Sequence, residues 1–196
     1  MEMNIKKSKA IFLDRDGTIN LDKDYLYKIE EFKFLPGVIE GLYNLQLNGY
    51  KLIIITNQSG IARGYYSENE YFILTKWMIK ALSKKGIDIS AVYYCPHHPN
   101  AKIEKYRTNC KCRKPNLGLF EQAMNDFNID LSQSYAIGDK IRDCAICNTT
   151  ECKGFLISHN EKKEIIEDVK NGKFDRISYA ENLKSAVDII CSSKSN

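Results

Sequence analysis

Five short apolar runs punctuate the chain: 10–14 (AIFLD), 51–56 (KLIIIT), 91–95 (AVYYC), 134–139 (SYAIGD) and 154–157 (GFLI). Each is continuous rather than alternating. That pattern predicts strands buried on both faces, as in a parallel sheet. Between them the period changes to that of a helix. Leu74, Trp77, Met78, Ala81 and Leu82 make one apolar stripe, and Phe120, Ala123, Met124 and Phe127 make a second. Ser67 with Glu70 three residues on predicts a capping box at the start of the first striped helix. A shorter helix is expected over 37–47. Strand and helix alternate, so the expected fold is α/β, a doubly wound parallel sheet. No repeat or low-complexity linker interrupts it. The tail CSSKSN is expected to fray.

In such sheets ligands bind at the carboxyl ends of the strands. Three predicted strands end in small polar residues: Asp14, Thr56 and Asp139. The first end, DRDGT, sets Asp14 and Asp16 one residue apart. Side chains at i and i+2 of an extended backbone face the same way. Like charges so placed repel unless a cation or a reaction is near them. With Asp139 and Asp143 they form a set of hard oxygen donors suited to Mg²⁺, with Lys114 and Lys140 able to offset charge. A carboxylate nucleophile beside a metal and lysines is the outline of a phosphoryl-transfer site. The plain alternative for DRDG is a charged turn.

Composition narrows this reading. The 196 residues suit a single domain, 1–196, with room for a sizeable core. The net charge of +4 fits an anionic small molecule and is too weak to argue for nucleic acid. No apolar run approaches the ~20 residues of a membrane span, and the lysine-bearing start does not lead into a secretory signal. A cytoplasmic, reduced protein is expected. Seven cysteines, an odd number, then point to metal rather than a complete set of disulfides. The clusters CPHHP and CKC have the form of a structural zinc site.

Taken together, FLDRDGTIN, TNQSGIARG, CPHHP, CKCRKP and IGDK resemble the haloacid dehalogenase superfamily of phosphatases. More closely they resemble its heptose bisphosphate phosphatases, over about residues 9–154. The resemblance implies a Rossmann-like, capless fold and an aspartyl-phosphate mechanism acting on a sugar bisphosphate. It implies that Asp14 is the nucleophile and Asp16 the acid–base. It implies that Mg²⁺ is held by Asp14, the Asp16 carbonyl and Asp139. Thr56, Asn57 and Lys114 would hold the transferring phosphoryl group. Asp22, Tyr25, Gln58, Ser59, Arg113 and Lys140 would contact substrate. Cys95, His97, Cys110 and Cys112 would bind structural zinc on a loop at about 95–112, leaving His98 without a ligand role. Where the family often has glycine, this chain has Asp24.

Among related activities, histidinol-phosphate phosphatases resemble TNQDG and have a shorter loop between the zinc clusters; this chain has TNQSG and a long stretch over 100–109. A non-catalytic zinc module is disfavoured by the intact Asp14, Asp16, Lys114 and Asp139. A polynucleotide phosphatase is disfavoured because no basic stripe is evident. A monomer is expected. Cys144 and Cys147 are read as small hydrophobes on a buried helical face. Cys152 and Cys191 carry no signal, and His159 is read as an exposed loop residue.

Overall fold

In the computed structural model, residues 7–157 and 161–192 are described. His159 and the last four residues of the tail lie outside them. Six parallel strands form one sheet: β1 (Ala10–Leu13), β2 (Lys51–Asn57), β3 (Ile89–Cys95), β4 (Tyr135–Gly138), β5 (Lys153–Leu156) and β6 (Ile177–Tyr179). Their order is β3-β2-β1-β4-β5-β6, and β1 pairs with both β2 and β4. The chain reverses direction of winding between β1 and β4, which opens a crevice beyond their carboxyl ends.

Six helices cover the sheet: α1 (Val38–Leu47), α2 (Ser59–Arg63), α3 (Glu68–Ser83), α4 (Gly118–Phe127), α5 (Lys163–Lys170) and α6 (Leu183–Ser192). The strands separate two apolar layers. Ile11, Leu13, Leu52 and Ile54 face α1, α3 and α6, while Ala10, Phe12, Ile53 and Ile55 face α4. This explains the continuous runs, since alternate residues enter different cores. The predicted stripes are the packed faces. Leu74, Met78 and Leu82 are buried with Trp77 partly so, and Phe120 and Ala123 are buried. The capping box is present: Ser67 Oγ accepts from Glu70 N, and Glu70 accepts from Ser67 N.

The sequence pattern passes over four elements. Strand β6 has three residues, too few for a periodic signal, and α2 is little more than one turn. Helix α5 presents a narrow apolar stripe among charged residues, and α6 has a buried stripe of Leu183, Ala186, Val187 and Ile190. Two residues expected in the frayed tail, Cys191 and Ser192, are helical, and Cys191 packs on the core. Cys144 and Cys147 are buried in a 3-10 segment, Ile141–Asn148, as small core residues. Among the described residues no helix is long and apolar enough to cross a membrane.

Candidate active site

Strand β1 stops one residue short of Asp14, and β4 one residue short of Asp139. The two aspartates therefore stand at the first positions beyond neighbouring strands. Asp14 N still donates to Ile137 O at 3.0 Å, which registers the two ends. The next residues turn sharply, because Arg15 O accepts from the backbone N–H groups of Thr18, Ile19 and Asn20. It is this turn, rather than continued extended backbone, that aims Asp16 into the crevice.

Two glycines permit the close approach of these loops. Gly17 has φ +81°, and a Cβ there would lie 2.6 Å from Asp139 Oδ2. A Cβ on Gly138 would lie 2.2 Å from that of Asp143. Asp143 thereby comes under the strand ends, and its Oδ2 accepts from Lys140 N at 2.9 Å.

Lys114 joins the carboxylates. Its Nζ lies 2.7 Å from Asp14 Oδ1, 2.7 Å from Asp143 Oδ1 and 2.6 Å from Ile55 O. Burial works against the ammonium, but the two carboxylates outweigh it and hold its pKa above the ordinary lysine value. Burial pushes Asp14 up to about 6, with Asp143 and Asp16 adding to the rise and Lys114 opposing it. Asp139, buried and facing Asp14 and Asp143, is pushed up to about 8.

Carboxylate oxygens of Asp14, Asp139 and Asp143 all lie within 4.8 Å of one another. Three carboxylates face one ammonium, leaving two negative charges uncompensated, the charge of one divalent cation. The donors are hard oxygens, so the site fits Mg²⁺.

Asp16 is treated differently. Its carboxylate accepts from Arg15 Nε and Nη2 at 2.8–3.1 Å, from Asn20 Nδ2 at 2.9 Å and from Gln58 Nε2 at 3.0 Å. Arg15 is itself buried, a role that its place between two aspartates in the sequence did not disclose. Gln58 gives its amide to Asp16 and Thr56 and accepts from Arg15 and Tyr66. Expected as a substrate contact, it is also the brace of this network. Asn57 donates to Lys114 O and accepts from Lys114 N, both at 3.1 Å.

The crevice opens as a cavity of about 270 Å³. Asp14, Asp16 and Asp139 form its floor. Asp22, Tyr25, Asn57, Gln58 and Ser59 line it as expected, with Arg113 and Lys140 opposite. Thr56 and Lys114 are buried behind the wall, Thr56 Oγ1 accepting from Gln58. Asp22 is raised by burial first and by Asp16 and Asp24 next. Asp24 and Tyr25 have φ of +35° and +65°, so the loop turns through left-handed backbone where the family often has glycine. Arg63 and Arg142 also line the cavity. Sequence reasoning missed both; the R of GIARG, at the last turn of α2, was the available signal for Arg63.

Beside this cavity the four expected zinc residues converge. Cys95 Sγ lies 3.4 Å from Cys110 Sγ and 3.2 Å from Cys112 Sγ, and His97 Nδ1 lies 3.3 Å from Cys112 Sγ. Three sulfurs and one imidazole nitrogen so close make a donor set of the kind that holds a tetrahedral zinc ion. His98 faces away from the cluster, toward Arg63. The loop is also tied to α2 and α3. Ile103 N donates to Ala62 O, and the hydroxyls of Tyr94 and Tyr106 both donate to Glu68.

A family profile described as "Polynucleotide kinase 3 phosphatase" matches residues 9–174. A D-glycero-beta-D-manno-heptose-1,7-bisphosphate 7-phosphatase of Haemophilus ducreyi is 44% identical over 183 residues, 93% of this chain and 96% of that one. The chain belongs to both of these phosphatase families. The enzyme of the same name from Haemophilus influenzae is 50% identical over 136 residues, 69% of this chain and 73% of that one. The heptose bisphosphate phosphatases are represented among solved structures by the D,D-heptose 1,7-bisphosphate phosphatase of B. bronchiseptica complexed with magnesium and phosphate. It superimposes with a TM-score of 0.79 at 27% identity, covering 94% of this chain and 99% of that one. The fold is thus that of the haloacid dehalogenase phosphatases, as the sequence implied.

Proposed function

We propose that this chain is a Mg²⁺-dependent phosphomonoesterase that removes the 7-phosphate of D-glycero-D-manno-heptose 1,7-bisphosphate and leaves the 1-phosphate. The observation that carries the reading is the 2.7 Å contact between Lys114 Nζ and Asp14 Oδ1 at the floor of an open cavity. A buried lysine holds one carboxylate oxygen and leaves the other to face the cavity. That is the arrangement a carboxylate nucleophile needs. The 44% identity to a named 7-phosphatase along nearly the whole chain supports the choice of substrate.

In the first step an Asp14 oxygen attacks phosphorus and the bond from phosphorus to the C7 oxygen breaks. Asp16 delivers a proton to that oxygen, and the heptose 1-phosphate leaves. In the second step water attacks the phosphorus of the aspartyl-phosphate and gives its proton to Asp16. Inorganic phosphate departs and Asp14 is restored. Arg15, Asn20 and Gln58 fix the Asp16 carboxylate for both transfers. Lys114 offsets charge that accumulates on Asp14 and the phosphoryl oxygens. Asp14, Asp139 and the Asp16 carbonyl would hold Mg²⁺, with Asp143 close by, and the ion would supply the remaining positive charge. Asn57 holds Lys114 in place, and the backbone around Thr56 and Asn57 meets the phosphoryl group.

Zinc on Cys95, His97, Cys110 and Cys112 is structural in this reading. It pins the loop that presents Arg113. A structural zinc contributes ~10 kcal/mol or more to ordering, on the scale of zinc-finger peptides. The chain acts as one cytoplasmic domain and a monomer, without nucleic acid or membrane.

The test is phosphate release from both anomers of the bisphosphate and from histidinol phosphate, with phosphorus NMR of the product. Heptose 1-phosphate is expected. Heptose 7-phosphate as product, or faster turnover of histidinol phosphate, would overturn the assignment.

A further inference from the structure

The cavity is bipolar. Its floor is acidic, but its outer wall carries Arg63 and Arg113, with His98 beside them. Among the described residues neither arginine has a carboxylate within 4.0 Å; those ion pairs are made by Arg15, Lys114 and five exposed lysine contacts. Arg113 is anchored by Nη1, which donates to His97 O at 3.2 Å. Arg63 is not so provided for. Its Nε is buried and meets no acceptor. Its Nη2 approaches His98 Nε2 at 3.3 Å. Yet His98 Nδ1 already accepts the backbone N–H of Asn100 at 3.1 Å. A neutral imidazole has one acceptor nitrogen and a charged one has none. With Nδ1 accepting, Nε2 carries a hydrogen, so Arg63 and His98 point donors at each other.

An anion's oxygen set to one side of the pair could accept from both. The backbone holds Arg63 at this place. Helix α2 follows directly on Gln58, ends at Gly64 with φ +76°, and is tied to the zinc-bearing loop through Ala62 O. Tyr25, itself packed at a tilt against Tyr65 with ring centroids 4.6 Å apart, lies against the guanidinium at 5.9 Å. Arg63 lines the cavity, which puts its guanidinium within reach of a ligand there. A guanidinium edge beside an N–H donor is a good match for phosphate oxygens.

We infer that Arg63 and His98 form the subsite for the second, non-reacting phosphate of the substrate, with Arg113 on its flank. This rests on the bisphosphate reading above and deepens it. The subsite sets specificity: binding energy gathered at the remote phosphate orients the end that reacts at Asp14. It adds Arg63 and His98 to Arg113, which the sequence resemblance implied as a substrate contact.

The experiment compares kcat/KM for heptose 1,7-bisphosphate with that for heptose 7-phosphate, in wild type, Arg63→Ala, Arg63→Lys and His98→Ala. Zinc content and near-ultraviolet circular dichroism establish that each variant is folded. Wild type is expected to favour the bisphosphate. In Arg63→Ala that ratio should fall roughly 10- to 100-fold, the effect of one charge-assisted contact. Arg63→Lys should recover part of it, and His98→Ala should show a smaller fall in the same direction. If Arg63→Ala does not fold, the ratio in Arg63→Lys decides, because lysine cannot span two oxygens and a reduced ratio is required. Should wild type show no preference for the bisphosphate, the substrate reading itself fails. If wild type prefers it and the Arg63 variants keep the full ratio, or lose both substrates in proportion, the subsite assignment alone is overturned.

Discussion

Asn57 grips the backbone of Lys114 with both ends of its carboxamide, accepting from N and donating to O at 3.1 Å each. The two residues are far apart in sequence, yet this clamp ties the end of β2 to the segment that follows the zinc loop. It sets where Lys114 enters the crevice. Asn57→Ala should leave the lysine charged but loosely placed. A fall of about 10-fold or more in kcat is expected, since two hydrogen bonds of ~1 kcal/mol each are lost. Asn57→Asp should be no better, because it has lost its donor. Steady-state kinetics on the bisphosphate checks this; an unchanged kcat in Asn57→Ala would refute the role.

Asp14→Asn should abolish turnover while the protein stays folded, because an amide cannot form the acyl-phosphate. Asp16→Asn should slow phosphorylation and prolong the intermediate, since nothing then carries the proton in either step. Rapid-quench trapping of labelled phosphoprotein distinguishes the two. Phosphate release by the Asp14 variant at the wild-type rate would remove the mechanism.

The pH dependence of stability follows from the crowded carboxylates. Asp14 is pushed up to about 6 and Asp139 to about 8. Without a cation the folded protein binds protons there that the unfolded chain has already released. Unfolding free energy from these groups therefore falls as pH rises from ~4 to ~8. Asp139→Asn should raise the Tm at pH 8 in chelator, and Mg²⁺ should raise the Tm of wild type more than that of the variant. Thermal melts at pH 5 and 8 measure both effects, and a lower Tm for the variant at pH 8 in chelator would contradict the account.

Zinc analysis separates the two groups of cysteines. Cys110→Ser and Cys112→Ser should lose zinc and, indirectly, activity. Cys144→Ala should keep zinc, since Cys144 Sγ packs among Ala136, Phe155 and Gly154. Loss of zinc from the Cys144 variant would disqualify the ligand set.

The zinc loop has a second fastening, which Glu68→Gln tests. Glu68 accepts from Tyr94 at 2.8 Å and from Tyr106 at 2.6 Å, and the Tyr106 bond heads the causes that hold its pKa below the ordinary glutamate value. A depressed carboxylate contributes stability above its unfolded pKa and loses it as pH falls. Faster amide exchange over 103–107, with zinc retained, is expected of the variant. Unchanged exchange would mean that zinc alone holds the loop.

Much of this molecule is legible in its sequence. The strands announce themselves because both faces are buried, and α3 and α4 do so because one stripe is. The acidic floor follows from where the apolar runs stop. A zinc site is suggested by two Cys clusters in a chain expected to be reduced, and its four ligands by the family resemblance. The strand β6 and helix α2 are too short to carry a period, α5 is too charged, and the stripe of α6 is passed over.

By itself, then, the sequence determined the sheet, its carboxyl-end crevice, and the residue types that meet there, because apolar period and chain order are local properties of the chain. Only the tertiary structure decided how those residues are used. It aimed Asp16 into the crevice that Asp14 lines and fixed its carboxylate with Arg15, Asn20 and Gln58. It placed Lys114 between Asp14 and Asp143, and it brought Arg63 of α2 against His98 of the zinc loop. The contacts to Arg15 and Asn20 are made within the turn after β1, while those of Gln58, Lys114 and Arg63 join segments distant along the chain. Such contacts depend on loop geometry and on which donors still lack acceptors once the core has closed, and no periodicity records that.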